Sequence, residues 1–135
     1  MNETYDFLVI GSGIAGLSFA LKVAEHGSVC VISKTKLEHT NTSYAQGGIA
    51  SVFAPTDNFE KHIQDTLTCG DGLCNEQIVR MVVSEAPSVI AQLVEWGTLF
   101  DRNTDGSFNL AREGGHSENR VLHHLDNSGF EIQRA

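Results

Sequence analysis

The chain has 135 residues, 41% of them hydrophobic and 19% charged, which predicts one ordinary globular domain with a modest core and excludes a disordered tail or a coiled coil. Nine Lys and Arg against seventeen Asp and Glu give a formal charge of -8 without any basic cluster to neutralise phosphates, which argues against nucleic acid as a partner. No apolar run reaches the ~20 residues of a membrane span, and "MNETYDF" lacks the basic start and long apolar stretch of a signal peptide, so the expectation is a soluble, cytoplasmic protein with no membrane partner.

Tyr5 to Ile10, "YDFLVI", is a short apolar run of the kind that forms a strand buried on both faces of a parallel sheet. "GSGIAGLSFALKVAEHG" then takes helical spacing, with Ile14, Leu17, Ala20, Leu21 and Ala24 on one side and Gly27 as the expected terminator. Ser28 to Ser33, "SVCVIS", reads as a second buried strand, completing a strand, glycine turn, helix and strand. Cys30, Cys69 and Cys74 are an odd number without CxxC spacing, which suits a reducing compartment and scattered small apolar residues better than a disulfide framework, a zinc knuckle or a redox pair.

Gly11, Gly13 and Gly16 form GxGxxG at that strand-to-helix junction. Gly11 permits a tight turn, Gly13 lets a pyrophosphate approach the backbone, and Gly16 lets helix and strand pack closely. The amides and helix dipole at Ile14 and Ala15 are then placed to bind phosphate charge. The fingerprint of an ordinary NAD or FAD protein expects Asp or Glu at the tip of the second strand. Ser33 and Lys34 stand there instead, which disfavours an ordinary NAD dehydrogenase and leaves NADP open, since Lys34 suits a 2′-phosphate. Residues 40 to 50, "TNTSYAQGGIA", show no helical period, and offer Thr40, Asn41, Thr42, Ser43 and Gln46 followed by Gly47 and Gly48. Hydroxyls and amides at several angles, with two residues where backbone can lie flat against a ring, suit a large planar polar heterocycle.

Further on, "DNFEKHIQDTLTCGDG" predicts an amphipathic helix with Phe59, His62, Ile63 and Leu67 on one side, capped by Asp57 or Thr56, with His62 at the surface or half-buried. Apolar spacing from Ile78 to Trp96 predicts a helical pair, with Pro87 in the first turn of its second member, Gly97 at its end and Trp96 in the core or at a domain contact. Asp105 and Gly106 signal a hairpin within "LFDRNTDGSFNL". Arg112, Glu113 and His116 surround Gly114 and Gly115 on a loop of the type that carries ligand contacts. "RVLHHLDNSGFEIQRA" reads as a helix broken near Ser128 and Gly129, with His123 and His124 on different sides and no metal-ligand spacing with His116.

"VIGSGIAGLSFAL", the Ser33-Lys34 pair, "TNTSYAQGGIA" and "REGGHSENRVLHHLDNSG" together resemble the flavoprotein family of succinate dehydrogenase, fumarate reductase and L-aspartate oxidase, and its oxidase branch most closely. The resemblance runs along essentially the whole chain. It implies an α/β, Rossmann-like FAD/NAD(P)-binding fold with a parallel sheet, present here as an incomplete amino-terminal portion. Residues 1–54 would form the dinucleotide-binding unit and flavin loop, and residues 55–135 a helical and hairpin segment leading to a substrate loop. The capping domain, the closing part of the FAD domain and the substrate-binding cations are expected beyond Ala135, so the catalytic centre is expected to be incomplete and no residue of the chain is assigned as catalytic.

By the same resemblance, Gly11, Ser12, Gly13, Ile14, Ala15 and Gly16 would contact the pyrophosphate and Ser33 and Lys34 the adenosine portion. Asn41, Thr42, Ser43, Tyr44, Ala45, Gln46, Gly47 and Gly48 would wrap the flavin. Asn41 takes the place of the histidine that carries flavin covalently in succinate dehydrogenases, so the FAD is expected to be non-covalent. Glu113 would meet the α-ammonium of L-aspartate. The implied activity is oxidation of L-aspartate to iminoaspartate, with electrons passed to oxygen or fumarate and quinolinate synthase taking up the product in NAD biosynthesis. A fumarate reductase or succinate dehydrogenase flavoprotein, and a non-catalytic FAD-binding module, are the alternatives.

Overall fold

A computed structural model describes residues 3–135. The leading unit follows the sequence closely: β1 (Phe7–Ile10), α1 (Ile14–Val23) and β2 (Val29–Ile32), with β1 and β2 parallel and in register from Phe7 opposite Val29 to Ile10 opposite Ile32. The helix stops earlier than expected. Its C-cap is Ala24, and Gly27 serves the return to β2, where an added Cβ would stand 2.7 Å from the Asp6 carboxylate. That carboxylate accepts hydrogen bonds from the amide and hydroxyl of Ser28, both at 2.8 Å, tying the start of β1 to the start of β2.

The expected burial of β1 on both faces is corrected. Val9 is buried, while Leu8 and Ile10 are 62% and 81% exposed. Among the described residues β1 pairs with β2 alone and the helix that packs on the pair is α1. One face is therefore covered and the other is bare.

A one-turn helix, α2 (Asn41–Tyr44), precedes β3 (Ile49–Ala50). α3 (Phe59–Cys69) and α4 (Glu76–Glu95) pack against each other. β4 (Leu110–Ala111), β5 (Val121–Leu122) and α5 (Ser128–Arg134) close the chain. β3, β5 and β4 form a small antiparallel sheet with β5 in the middle. Ile90 and Leu93 of α4, Phe100 and Leu122 form its buried core, with Trp96, Ile14 and Ile132 packed around them. That core joins α4 to the small sheet, to α1 and to α5.

Four further expectations are corrected. α3 is capped by Asn58, whose side chain accepts from the Lys61 amide at 2.9 Å, because the side chains of Thr56 and Asp57 are engaged by Glu118 and Arg120. α4 is one continuous helix with Pro87 inside it. Proline there removes one backbone hydrogen bond and costs roughly 3 kcal/mol, a penalty outweighed by the buried face of Val83, Ile90 and Leu93. Val121 and Leu122 are strand, His123 and His124 lie between strand and helix, and α5 begins at Ser128 instead of breaking there. His62 is buried, at 6% exposure. The hairpin expectation holds: Arg102 bridges Phe108 in antiparallel fashion, and Gly106 takes a φ of +86° in the turn.

Candidate functional site

The fingerprint loop lies at the carboxyl end of β1. Gly11 takes a φ of +107°, a left-handed conformation that side chains resist, and its amide donates to the Ile32 carbonyl at 2.8 Å. That bond brings the loop to the end of β2, beside half-buried Ser33 and exposed Lys34. A Cβ on Gly16 would collide with the Gly11 carbonyl and touch Val9, so helix and strand approach as closely as the spacing predicts. Ser12 is buried, and its hydroxyl donates to the Leu37 carbonyl at 2.9 Å.

The first turn of α1 has no side-chain cap of its own. Thr42 supplies one from α2, its Oγ1 accepting from the Ile14 amide at 3.0 Å. Among the described residues the amides of Gly13 and Ala15 have no acceptor within the protein, and no neighbour crowds the missing side chain of Gly11 or Gly47. Open amides at a helix N-terminus, with the positive end of the helix dipole behind them, fit the diphosphate of a dinucleotide. Among the described residues the donors left free at this turn are the amides of Ser12, Gly13, Ala15 and Gly16, and Ile14 is not one of them.

The loop of residues 40–48 uses part of its polar inventory on itself. Thr40 caps α2 by accepting from the Ser43 amide at 3.0 Å, and Ser43 returns the bond in a capping box. Asn41, Tyr44, Ala45, Gln46, Gly47 and Gly48 remain exposed. The two glycines differ. Gly47 faces open space, whereas a Cβ on Gly48 would run into the Leu122 carbonyl and Val121, so Gly48 is small because β5 lies against it.

Gln133 of α5 fastens the two loops together. Its Nε2 donates to the Ser12 carbonyl at 2.7 Å, and its Oε1 accepts from the Thr40 hydroxyl at 2.8 Å. Gly129, in the same helix, lets α5 sit directly on the backbone of α2 and donates to the Ala45 carbonyl at 2.9 Å. Reading residues 120–135 as a broken helix hid both contacts, and a single glutamine carries no motif that would reveal them.

Residues 112–119 leave the small sheet at Ala111 and return at Arg120, whose amide closes the base on the Ala111 carbonyl at 3.1 Å. Arg112, Glu113, Gly114 and Gly115 are exposed at the tip. The flank is pinned: Ser117 donates from its amide and its hydroxyl to Asp65 Oδ2, both at 2.8 Å, and Glu118 pairs with Lys61 and accepts from Thr56. Arg120 lies beneath, fully buried. Its Nε and Nη2 grip Asp57 at 2.9 and 2.8 Å, and its Nη1 reaches Asp65. Burial pushes the Asp65 carboxyl up, but hydrogen bonds from Ser117 and Arg120 outweigh it and hold the group at about 2. His62 packs edge-on against His116, ring centroids 5.7 Å apart. Burial, then the nearby Arg120 and His116, depress its pKa below the ordinary value.

An apolar groove of about 400 Å³ runs along the side of α1, lined by Leu17, Leu21, Val29, Val31, Trp96 and Ile132 among others, and includes none of the fingerprint glycines. Its lining is mostly apolar and its one charged residue, Arg134, is already paired with Glu131, so the glycine loop with its free amides is the better candidate.

A parallel strand pair joined through a glycine turn and a helix, with free amides facing a polar loop, defines a dinucleotide-binding domain. The chain belongs to the FAD binding domain family, which matches residues 6–134, and its cofactor is FAD. It is 53% identical over 131 residues to the chloroplastic L-aspartate oxidase 2-a of Nicotiana tabacum, covering 97% of this chain and 20% of that protein. It is 47% identical over 133 residues to L-aspartate oxidase of Vibrio cholerae, covering 95% of this chain and 25% of that protein. Among solved structures, E. coli quinol fumarate reductase superposes with a TM-score of 0.89 at 34% identity, over 96% of this chain and 23% of that one. The chain thus spans about a fifth to a quarter of the length of these relatives.

Proposed function

We propose that this chain is the amino-terminal part of an L-aspartate oxidase, with residues 1–54 holding the dinucleotide and residues 55–135 leading to the substrate loop. The observation that carries the reading is the identity of about half of all residues, along nearly the whole chain, to proteins of that name. Bound FAD supplies the electron acceptor for oxidation of L-aspartate to iminoaspartate, with oxygen or fumarate as the final oxidant. The chain's own residues bind and orient. Gly13 and Ala15 offer amides to the diphosphate, Ser33 and Lys34 lie at the adenosine end, and Asn41 to Gly48 line the flavin. Asn41 has no ring nitrogen to form a covalent link, so the flavin is held non-covalently.

Glu113 supplies selectivity. It is exposed at the tip of its loop and makes no side-chain hydrogen bond among the described residues, leaving its carboxylate free to meet the α-ammonium of aspartate. Facing succinate, the same carboxylate would be desolvated without a partner, at a cost of several kcal/mol. No helix among the described residues is long and apolar enough to cross a membrane, and the proposed location is the cytoplasm. The plant relative is chloroplastic by name. Iminoaspartate would pass to quinolinate synthase on the way to NAD. Fumarate reduction as the main activity is the second reading, supported by the fold match to quinol fumarate reductase. Asn41 and Glu113 weigh against it.

Glu113→Gln in the full-length enzyme separates the two. It is expected to lower kcat/KM for L-aspartate by about tenfold or more, the value of a hydrogen bond to a charged group, while fumarate reduction falls much less. Equal loss of both activities removes Glu113 from substrate selection.

A further inference from the structure

Besides Glu113, the substrate loop carries His116, and the buried arginine below determines which of its ring nitrogens is free. Arg120 is fully buried, and a guanidinium has only N–H donors and never deprotonates in a protein. Nε and Nη2 are satisfied by Asp57, and one Nη1 hydrogen by Asp65. Nη1 also lies 3.3 Å from Nδ1 of His116. Since Arg120 cannot accept, that contact is a hydrogen bond only if Nδ1 offers its lone pair. In the neutral ring the proton is then on Nε2.

We propose that Arg120 is a positioning residue that fixes His116 as the Nε2–H tautomer, making His116 a neutral hydrogen-bond donor of the substrate loop and a contact for a substrate carboxylate. This rests on the reading of residues 112–119 as the substrate loop of an aspartate oxidase. The division of labour follows from chemistry. Glu113 is an acceptor suited to an ammonium, and a neutral Nε2–H is a donor suited to a carboxylate, so one loop matches both signs of an amino-acid zwitterion. Other contacts hold the ring in place. His62 packs edge-on beneath it, and the His116 amide donates to the Glu113 carbonyl at 3.2 Å, which sets the spacing of the two side chains. Asp57 and Asp65 keep Arg120 from turning away, because releasing it would strand two carboxylates beside a buried cation.

The test uses the full-length, FAD-loaded enzyme. Two-bond proton–nitrogen NMR on protein labelled at histidine nitrogens is expected to show His116 with an unprotonated Nδ1 and a protonated Nε2. A ring protonated on Nδ1 overturns the proposal. Two substitutions then read the consequence for substrate. His116→Gln keeps an amide donor near the position of Nε2, and His116→Asn places its amide near Nδ1. The KM for L-aspartate is expected to stay within about threefold in His116→Gln and to rise about tenfold or more in His116→Asn, with kcat changing less in both. The opposite order, with Asn restoring and Gln failing, would show that His116 only supports Arg120 and would overturn the proposal. If the parent enzyme does not turn over aspartate, the substrate reading has failed. The same Gln and Asn comparison is then made on succinate affinity, read from the flavin difference spectrum, and its order still decides the role of His116.

Discussion

His62 shows how one residue type can mislead. Histidine on a helix face is ordinarily half-exposed, yet this one is 6% exposed and its Nδ1 has no hydrogen-bond partner. Burial, Arg120 and His116 all disfavour its charged form. Its folded pKa lies below the ordinary 6.5, so as pH falls the unfolded chain takes up the proton first. Stability present above pH 6.5 is therefore lost on acidification through the window below it. His62→Gln, which cannot titrate, is expected to flatten the fall in melting temperature between neutral pH and the mid-acid range, and an unchanged slope contradicts this. Asp65 follows the same sign lower down, its contribution fading between its ordinary 3.8 and about 2. The glycines were the most legible residues. Gly11 and Gly16 do in the structure what their spacing implies, because a turn with positive φ and a close helix approach leave no other choice. Gly48 was legible as necessary but not for its reason, since its neighbour in space, Leu122, is distant in sequence.

Among the elements, the link between α3 and the end of the 112–119 loop is ionic. Arg120 precedes β5, Asp57 lies just before α3 and Asp65 within it, so one guanidinium ties sheet to helix. Arg120→Met would leave Asp57, whose side chain is also fully buried, without its counter-charge. Breaking such a pair from one side costs about 3–5 kcal/mol, and denaturant unfolding is expected to show a loss of that size. A change under about 1 kcal/mol would mean the carboxylates rehydrate freely. β1, α1 and β2 were readable because their apolar periods are long enough to state. α2 was not, since a four-residue turn has no face, and its signal was the Thr40 and Ser43 capping pair hidden in a run of hydroxyls. The sequence of α4 suggests two helices because the low helix propensity of Pro87 carries no trace of the packing that overrides it.

At the scale of the molecule, the small antiparallel sheet, α4 and the start of α1 share one core, and the candidate site lies where β1, β2 and the 40–48 loop converge, with α5 bracing the loops through Gln133. The fold class was legible because a strand, glycine turn, helix and strand admit few packings. The extent of burial was not, because it depends on what covers the bare face and edges of the parallel pair, where Leu8, Ile10 and Ile32 stand exposed. With a net charge of -8, the proposed diphosphate site relies on backbone amides and a helix dipole rather than a basic patch. The central claim is that these amides bind FAD, and the most direct measurement is the flavin bound per polypeptide in full-length Gly13→Glu. Bulk and negative charge facing the diphosphate are expected to abolish bound flavin while far-ultraviolet circular dichroism stays that of the folded parent. A folded variant carrying as much flavin as the parent would contradict the account.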